Sequence, residues 1–343
     1  MKAWKKGLAM LMATVAVIPV GAGFTAKAES NEKYEVAFIV RNAADSFVAR
    51  IINSFEEEAK NYDDLFSLEI LDAQADSDKQ NSLIETCITK GYDCIIVQPN
   101  DGDLQKPYCE QVLNAGIKLI TTNAGIREIE GGSWVDANPY EQGEVLAKLA
   151  TENAPENARV VMMSCNPGNL HTESRLQAYK DVFLGEREDV ELLAEKITDR
   201  ADEATFMATM EDWVQSFGKI DVVMTIGDTL ALSAYEVVKD DDTYKDTQYY
   251  GVDGLPESLL AIKRGHMTAT VMQDTDEMAQ LNLEAAAKLL KGEEEVIESE
   301  MEAILITADN VDEYLDYYVE KGALTQEEVD ECILRPSAVA NAF

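Results

Sequence analysis

One unit repeats along this chain: a short apolar run, a break of small and polar residues, then apolar positions three and four apart. Its first copy is VAFIVRNAADSFVARIINSFEEEAK, residues 36–60. Residues 36–40 read as a strand, and Val48, Ile51, Ile52 and Phe55 mark one face of a helix. Further strands are predicted at 66–71, 94–97, 117–121 and 134–135, then at 158–163, 190–197, 220–226, 249–252 and 267–272. Helices are predicted at 79–90, 104–115, 140–153, 173–184, 205–217, 230–239, 257–264 and 278–291. CIIV at 94–97 is apolar on both faces, as a strand buried inside a parallel sheet requires. Such alternation without a hairpin signature predicts an α/β fold with parallel sheets and helices on both sides.

The pattern restarts near residue 140, which predicts two Rossmann-like lobes in succession. No Pro/Gly/Ser linker separates them, so the chain is expected to cross between lobes through short connections near Asn138, Gln273 and Ala303. One lobe would comprise 33–138 with 274–302, the other 139–273 with 303–310, joined by a multi-strand hinge. A helical tail, 311–343, carries Tyr314, Tyr317 and Tyr318 and a capping-box pattern from Thr325 to Glu328.

Residues 1–28 read as an export signal. Lys2, Lys5 and Lys6 precede an apolar core at 8–20, and Ala26-Lys27-Ala28 forms an A-x-A cleavage site. The core is short for a bilayer span and contains Pro19. No cysteine lies near the cut, so no lipid anchor is expected. The expected destination is outside the cytoplasm, in a periplasm or cell envelope. The leader holds four basic and no acidic residues, so its loss takes the net charge from −36 to −40. Nucleic acid and anionic lipid, which need Lys/Arg patches, are excluded as partners. Five cysteines (Cys87, Cys94, Cys109, Cys165, Cys332) are odd in number and lack metal-type spacing. They read as buried apolar residues, with one disulfide at most.

The breaks after the strands hold Asp45 and Phe47; Gln98 and Asn100; Asn123; Asp136 and Asn138; Asn169, His171 and Glu173; Asp228; Asp253; and Gln273. At the carboxyl ends of parallel strands these positions face the usual ligand crevice. Carboxylates and amides suit a ligand with many hydroxyls, and an aromatic can cover an apolar sugar face. The same Asp and Asn residues could instead cap helices and shape turns. Other chemistry finds little footing. His171 and His266 lack a second ligand at helical spacing, and neither G-x-S-x-G nor a Walker A motif occurs. DAQADSD at 72–78 lacks the glycine and terminal glutamate of a calcium loop. No metal and no cofactor is expected.

Several segments in order carry a family resemblance: LDAQADSDKQNSLIETCITKGYDCIIVQPND, AGIKLITTN, VDANPYEQGEVLAKLA, DVVMTIGDTLALSAYEVV, YYGVDGLPESLLAIKRGHMTATVMQD and ITADNVDEYL, together with the opening unit. From about Tyr34 to Asn310 the chain resembles the periplasmic sugar-binding proteins of ABC transporters, in the ribose- and galactose-binding branch. The resemblance implies the type I periplasmic binding protein fold, with a monosaccharide or related polyhydroxylated ligand closed between two lobes. It implies delivery to an ABC transporter permease by a monomeric binding protein, and no catalysis. By motif position, Asp45 and Phe47 fall in the sugar-gripping first loop, Gln98 after the third strand, and Asn123 where an Asp is usual. Asp228 lies in the N/G-D-x-x-A-x-x-A segment, and Asp253 and Gln273 match the late Asp and Asn/Gln pair. Asn169 and Glu173 complete the expected ligand set.

The chain also departs from the pattern. Ala124 stands where the ribose type has Arg, Glu173 where a binding Arg is expected (with Arg175 two residues on), and Val48 where a second aromatic is usual. Arg41 could supply a cation or lie at the surface. Lactose-repressor-type regulators share the fold but begin with a DNA-binding helix-turn-helix, where this chain has its leader. The alternative expectation is a ligand-sensing partner of a chemoreceptor or sensor kinase, and the third is an enzyme acting on sugars.

Overall fold

The computed structural model describes residues 33–199 and 202–333. The leader at 1–28 and the end of the tail lie outside the described residues. The first run of elements is β1 (Tyr34–Val40), α1 (Ser46–Glu58), β2 (Phe66–Asp72), α2 (Ser77–Lys90), β3 (Cys94–Val97), α3 (Gly102–Asn114), β4 (Lys118–Thr122) and β5 (Ser133–Ala137). The second run is α4 (Pro139–Asn153), β6 (Arg159–Cys165), α5 (Leu170–Ala178), β7 (Glu191–Thr198), α6 (Glu203–Phe217), β8 (Val222–Thr225), α7 (Asp228–Val238), β9 (Gln248–Asp253), α8 (Pro256–Arg264) and β10 (Ala269–Met272). Then come α9 (Thr275–Lys291), β11 (Glu298–Met301), β12 (Ile304–Thr307), α10 (Val311–Glu320) and α11 (Gln326–Ile333).

The strands form two six-stranded sheets, ordered β11-β5-β4-β3-β1-β2 and β12-β10-β9-β8-β6-β7. Every pairing in the first is parallel. In the second only β10 with β12 is antiparallel. In each sheet the strand order reverses once, between β1 and β3 and between β6 and β8. Connections on the two sides of such a point run to opposite faces and leave a crevice at the strands' carboxyl ends. The chain passes from the first sheet to the second after β5, back after β10 into α9, which packs on α1 and β4, and across again between β11 and β12.

Alternation along β1 explains the layering. Val36, Phe38 and Val40 face α1 and α9 in one cluster, whereas Ala37 and Ile39 pack with Ile84, Cys87, Cys109 and Val112 on the other side. Phe38 and Phe55 stack with ring centroids 4.1 Å apart. Burying a side chain such as Ile51 or Phe55 contributes about 1.5–3 kcal/mol, so α1 is held by this face. The five cysteines are unbridged and buried. The tail is ordered as far as described: Val311, Leu315 and Tyr318 of α10 enter the second sheet's core. The Thr325 backbone N–H donates to Glu328 Oε2 at 2.8 Å, and the Glu328 N–H to Thr325 Oγ1 at 3.3 Å, a reciprocal cap for α11.

Three local differences from the sequence reading have physical causes. The helix predicted at 173–184 starts earlier, at Leu170, because Asn169 caps it, and it loosens into a π-helical turn over Tyr179–Leu184. β5 extends to five residues by pairing with β4 and β11. β11 (ESEM) is a polar edge strand with no hydrophobic signature, formed by pairing with β5.

Candidate functional site

A cavity of about 50 Å³ lies where the carboxyl ends of both sheets face each other. It adjoins a cleft of about 700 Å³, with Arg41, Asp45, Asn166, Asn169 and Thr229 lining both. Asp45, Phe47, Asn123, Asn169, Asp253 and Gln273 come together on its wall, with Arg41, Cys165, His171 and Arg175. Gln98, Glu173 and Asp228 do not line it.

The wall from the first sheet is built on local backbone needs. Asp45 caps α1: its Oδ1 accepts the Phe47 and Val48 N–H groups at 3.0 and 3.1 Å. Its Oδ2 stands 3.5 Å from Arg41 Nη2. One oxygen therefore serves the helix and the other faces the cation. Phe47, in the helix's first turn, is buried against the core and reaches the cavity. Asn123 sits at φ +45° in the turn after β4. Gln98, fully buried, underpins it: Gln98 Nε2 donates to Asn123 Oδ1 at 2.7 Å, while Gln98 Oε1 accepts the Arg41 N–H at 3.1 Å. The relay continues across the sheets, Asn123 Nδ2 donating to Gln273 Oε1 at 3.1 Å and Gln273 Nε2 to Asp253 Oδ1 at 2.8 Å. Each amide is oriented by its neighbours, which fixes where donors and acceptors face the cavity.

The wall from the second sheet is built on buried charge. Asn169 caps α5 through Oδ1 to the His171 and Thr172 N–H groups. Glu173 is exposed and accepts the Gly168 N–H at 2.8 Å. Arg175, one half-turn on, is 4% exposed and reaches the cavity instead. Its Nε and Nη2 donate to Gln142 Oε1 at 3.0 and 2.7 Å, and Nη1 to the Ile226 carbonyl at 3.0 Å. Asp253 adopts φ +122°, a costly conformation for a residue with a side chain.

Asp228 lies beneath, fully buried, accepting the Leu255 N–H at 2.9 Å and the Thr270 hydroxyl at 2.7 Å. Gly251 makes room for it: a Cβ there would fall 2.4 Å from Asp228 Oδ1. Burial raises the Asp228 carboxyl, helped by the charge on Asp253. Burial also raises Asp253, opposed by Arg175. The Arg175 charge lowers Asp253 against its burial, so Asp228 holds its proton the more firmly.

Sequence reasoning left Arg175 outside the ligand set. The usable signal was the i, i+4 spacing of His171 and Arg175, which puts both on one face of α5. Asp72 and Asp76 of the DAQADSD segment serve turns and the cap of α2. Among the described residues no group of three or more His, Cys, Asp or Glu is placed to hold a metal ion. No helix among them is long and apolar enough to cross a membrane.

A site at the facing carboxyl ends of two mainly parallel sheets, walled by amides, carboxylates and two arginines, defines a two-sheet binding protein. The chain belongs to the periplasmic binding protein domain family, whose model matches residues 36–294. The ribose import binding protein of Bacillus subtilis is 24% identical over 263 residues, covering 77% of this chain and 84% of the relative. The putative rhizopine-binding protein of Rhizobium meliloti is 27% identical over 257 residues, covering 73% and 82%. Among solved structures, an ABC transporter solute binding protein from Bacillus halodurans with bound myo-inositol superposes with a TM-score of 0.77 at 27% identity, covering 84% of this chain and 100% of that one.

Proposed function

We propose that this chain is an exported solute-binding protein that takes a neutral, compact polyhydroxylated ligand, a sugar or cyclitol, and delivers it to the permease of an ABC importer. The observation that carries the reading is the charge balance of the cavity wall. Asp45 and Asp253 share the wall with Arg41 and Arg175, together with the amides of Asn123 and Gln273. A balanced wall rich in oriented donors and acceptors favours hydroxyls over a phosphate or a second carboxylate, whose burial would leave a charge unpaired. Phe47 is the one phenyl ring among the described residues of the wall, so the ligand is gripped mainly by hydrogen bonds. The myo-inositol in the Bacillus halodurans relative fits this chemistry.

In this reading Asp45, Phe47, Asn123 and Arg41 form one jaw. Asn169, Arg175 and Asp253 form the other, and Gln273 sits at the hinge. Gln98 and Asp228 support the walls from beneath, and Glu173 serves the turn before α5. The jaws belong to lobes 33–138 with 274–302 and 139–273 with 303–310, and the three crossings between the sheets act as the hinge. Closure buries the ligand, and the monomeric closed form is the one that docks. The test is a thermal-shift panel of myo-inositol, D-ribose, D-allose and xylitol against galacturonate and ribose 5-phosphate. A neutral polyol at about 100 times its Kd should stabilise the protein by about 2.7 kcal/mol. Stabilisation by the charged compounds alone would overturn the assignment.

A further inference from the structure

Beside the cavity, with His171 on its wall, a second set of buried groups joins the two sheets. Asp136, on β5 of the first sheet, and His171, on α5 beside the second, are 0% and 3% exposed. His171 Nε2 lies 3.0 Å from both carboxylate oxygens of Asp136. His171 Nδ1 lies 3.1 Å from Arg175 Nη2. We propose that His171 is a positioning residue of the ligand site: as the neutral Nε2–H tautomer it ties the Asp136 carboxylate of the first sheet to the Arg175 guanidinium on the cavity wall of the second. This rests on reading the cavity as the ligand site.

The tautomer follows from the partners. A guanidinium only donates, so the Nδ1 beside Arg175 must accept, and the ring proton sits on Nε2, aimed at Asp136. The opposite tautomer would set Nδ1–H against the guanidinium and a ring lone pair against the carboxylate. The Ala124 N–H, 2.9 Å from both Nε2 and Asp136 Oδ2, then goes to the carboxylate. Asp136 also accepts the Gly125 N–H at 2.7 Å and the Ala137 N–H at 2.9 Å.

The pair is thus not a simple Asp–imidazolium bridge. A doubly protonated ring would push N–H against Arg175 inside the protein. Burial lowers the His171 pKa, opposed by Asp136 and helped by Arg175 and Arg41. Asp136 is held below the usual carboxylate range, because His171 and the Gly125 and Ala124 N–H groups outweigh its burial.

The link matters to the ligand through the donor count on Arg175. Gln142 takes Nε–H and one Nη2–H, Ile226 one Nη1–H, and His171 the other Nη2–H. One Nη1–H is left for the cavity, its direction set by the other four. Protonating His171 breaks that arrangement. Because burial lowers the folded pKa of His171, the arrangement persists below the ordinary imidazole pKa of about 6.5 and is lost only as pH falls through the lowered folded value. Asp253 titrates upward of the usual carboxylate range and is common to all variants of His171, so differences between variants isolate the ring.

The experiment measures myo-inositol and D-ribose affinity by calorimetry, at about pH 8 and in steps below it, for the wild type, His171→Asn and His171→Leu. His171→Asn keeps an acceptor for Arg175. We expect His171→Leu to bind at least tenfold more weakly at the highest pH. His171→Asn should lie between, and the wild type should lose more affinity than either variant at the pH where nitrogen NMR shows the ring gaining its second proton. Wild-type affinity in His171→Leu, or a wild-type affinity that does not change relative to the variants across that protonation, overturns the proposal. If the wild type binds none of myo-inositol, D-ribose, D-allose and xylitol, it is the polyol reading that fails. Nitrogen NMR of the wild-type ring then decides the His171 assignment. A proton on Nε2 alone persisting below the ordinary imidazole pKa supports it, and a proton on Nδ1 near neutrality refutes it.

Discussion

The two walls of the cavity are made by different means. The first-sheet wall is an arrangement of amides, a helix cap and a half-buried ion pair: Asp45 holds the start of α1 and faces Arg41, and Gln98 aims Asn123. The second-sheet wall is an arrangement of buried charge: Asp228 under Asp253, and Arg175 beside His171, which reaches across to Asp136 of the first sheet. A cap or an amide costs little to bury, because its partners are nearby backbone and side-chain groups. Buried carboxylates and guanidinium groups need partners from several elements at once. The first wall should therefore be tolerant and local, the second sensitive to substitution and pH.

The largest effect should come from the charged wall. Asp253→Gly removes a cavity carboxylate and relieves a side chain held at φ +122°. Affinity for any neutral polyol that binds the wild type should fall at least about a hundredfold, roughly 2.7 kcal/mol, while the urea midpoint holds or rises. Unchanged affinity in calorimetry would remove this wall from the site.

Next comes Asp228. Its carboxyl is raised in the folded protein, so the fold binds that proton more tightly than the unfolded chain. Its contribution to stability is complete below the ordinary carboxylate pKa of about 3.9 and is lost as pH rises through the raised folded value. That slope cannot exceed about 1.4 kcal/mol per pH unit for one proton. Asp228→Asn, which resembles the protonated acid, should flatten this part of the stability profile and be relatively most stabilising at alkaline pH. Parallel urea-midpoint profiles for the two proteins would refute it.

The smallest effect tests the amides of the first wall. Gln98→Leu leaves the Arg41 N–H and Asn123 Oδ1 without their partner. It should destabilise by about 1–3 kcal/mol, with no change in the slope of stability against pH. A changed slope would mean that the walls are not separate devices.

Much of the architecture was legible because parallel sheets demand strands apolar on both faces and helices apolar on one. CIIV of β3 and the Val48–Phe55 face of α1 carry that demand in plain sequence. Capping is equally local, so Asp45 could be placed before its helix without knowing what it faces, whereas the cap at Asn169 lay within a segment read as loop. Glu173 was less legible: two positions along α5 rotate a side chain by about 200°, and that turn exposes Glu173 while bringing Arg175 to the cavity.

What the sequence by itself determined is the succession of βα units, their caps and the alternation that buries each strand, since these depend on neighbours within a few residues. Tertiary structure decided which loop residues meet. Asp228 turns under Gly251 because β9 runs beside β8. The polar ESEM segment becomes β11 because β5 offers it an open edge. Asp136 finds His171 only once the two sheets face each other. A buried charge is stable only with partners, and these lie far apart along the chain; their meeting is a property of strand order, which no local pattern encodes.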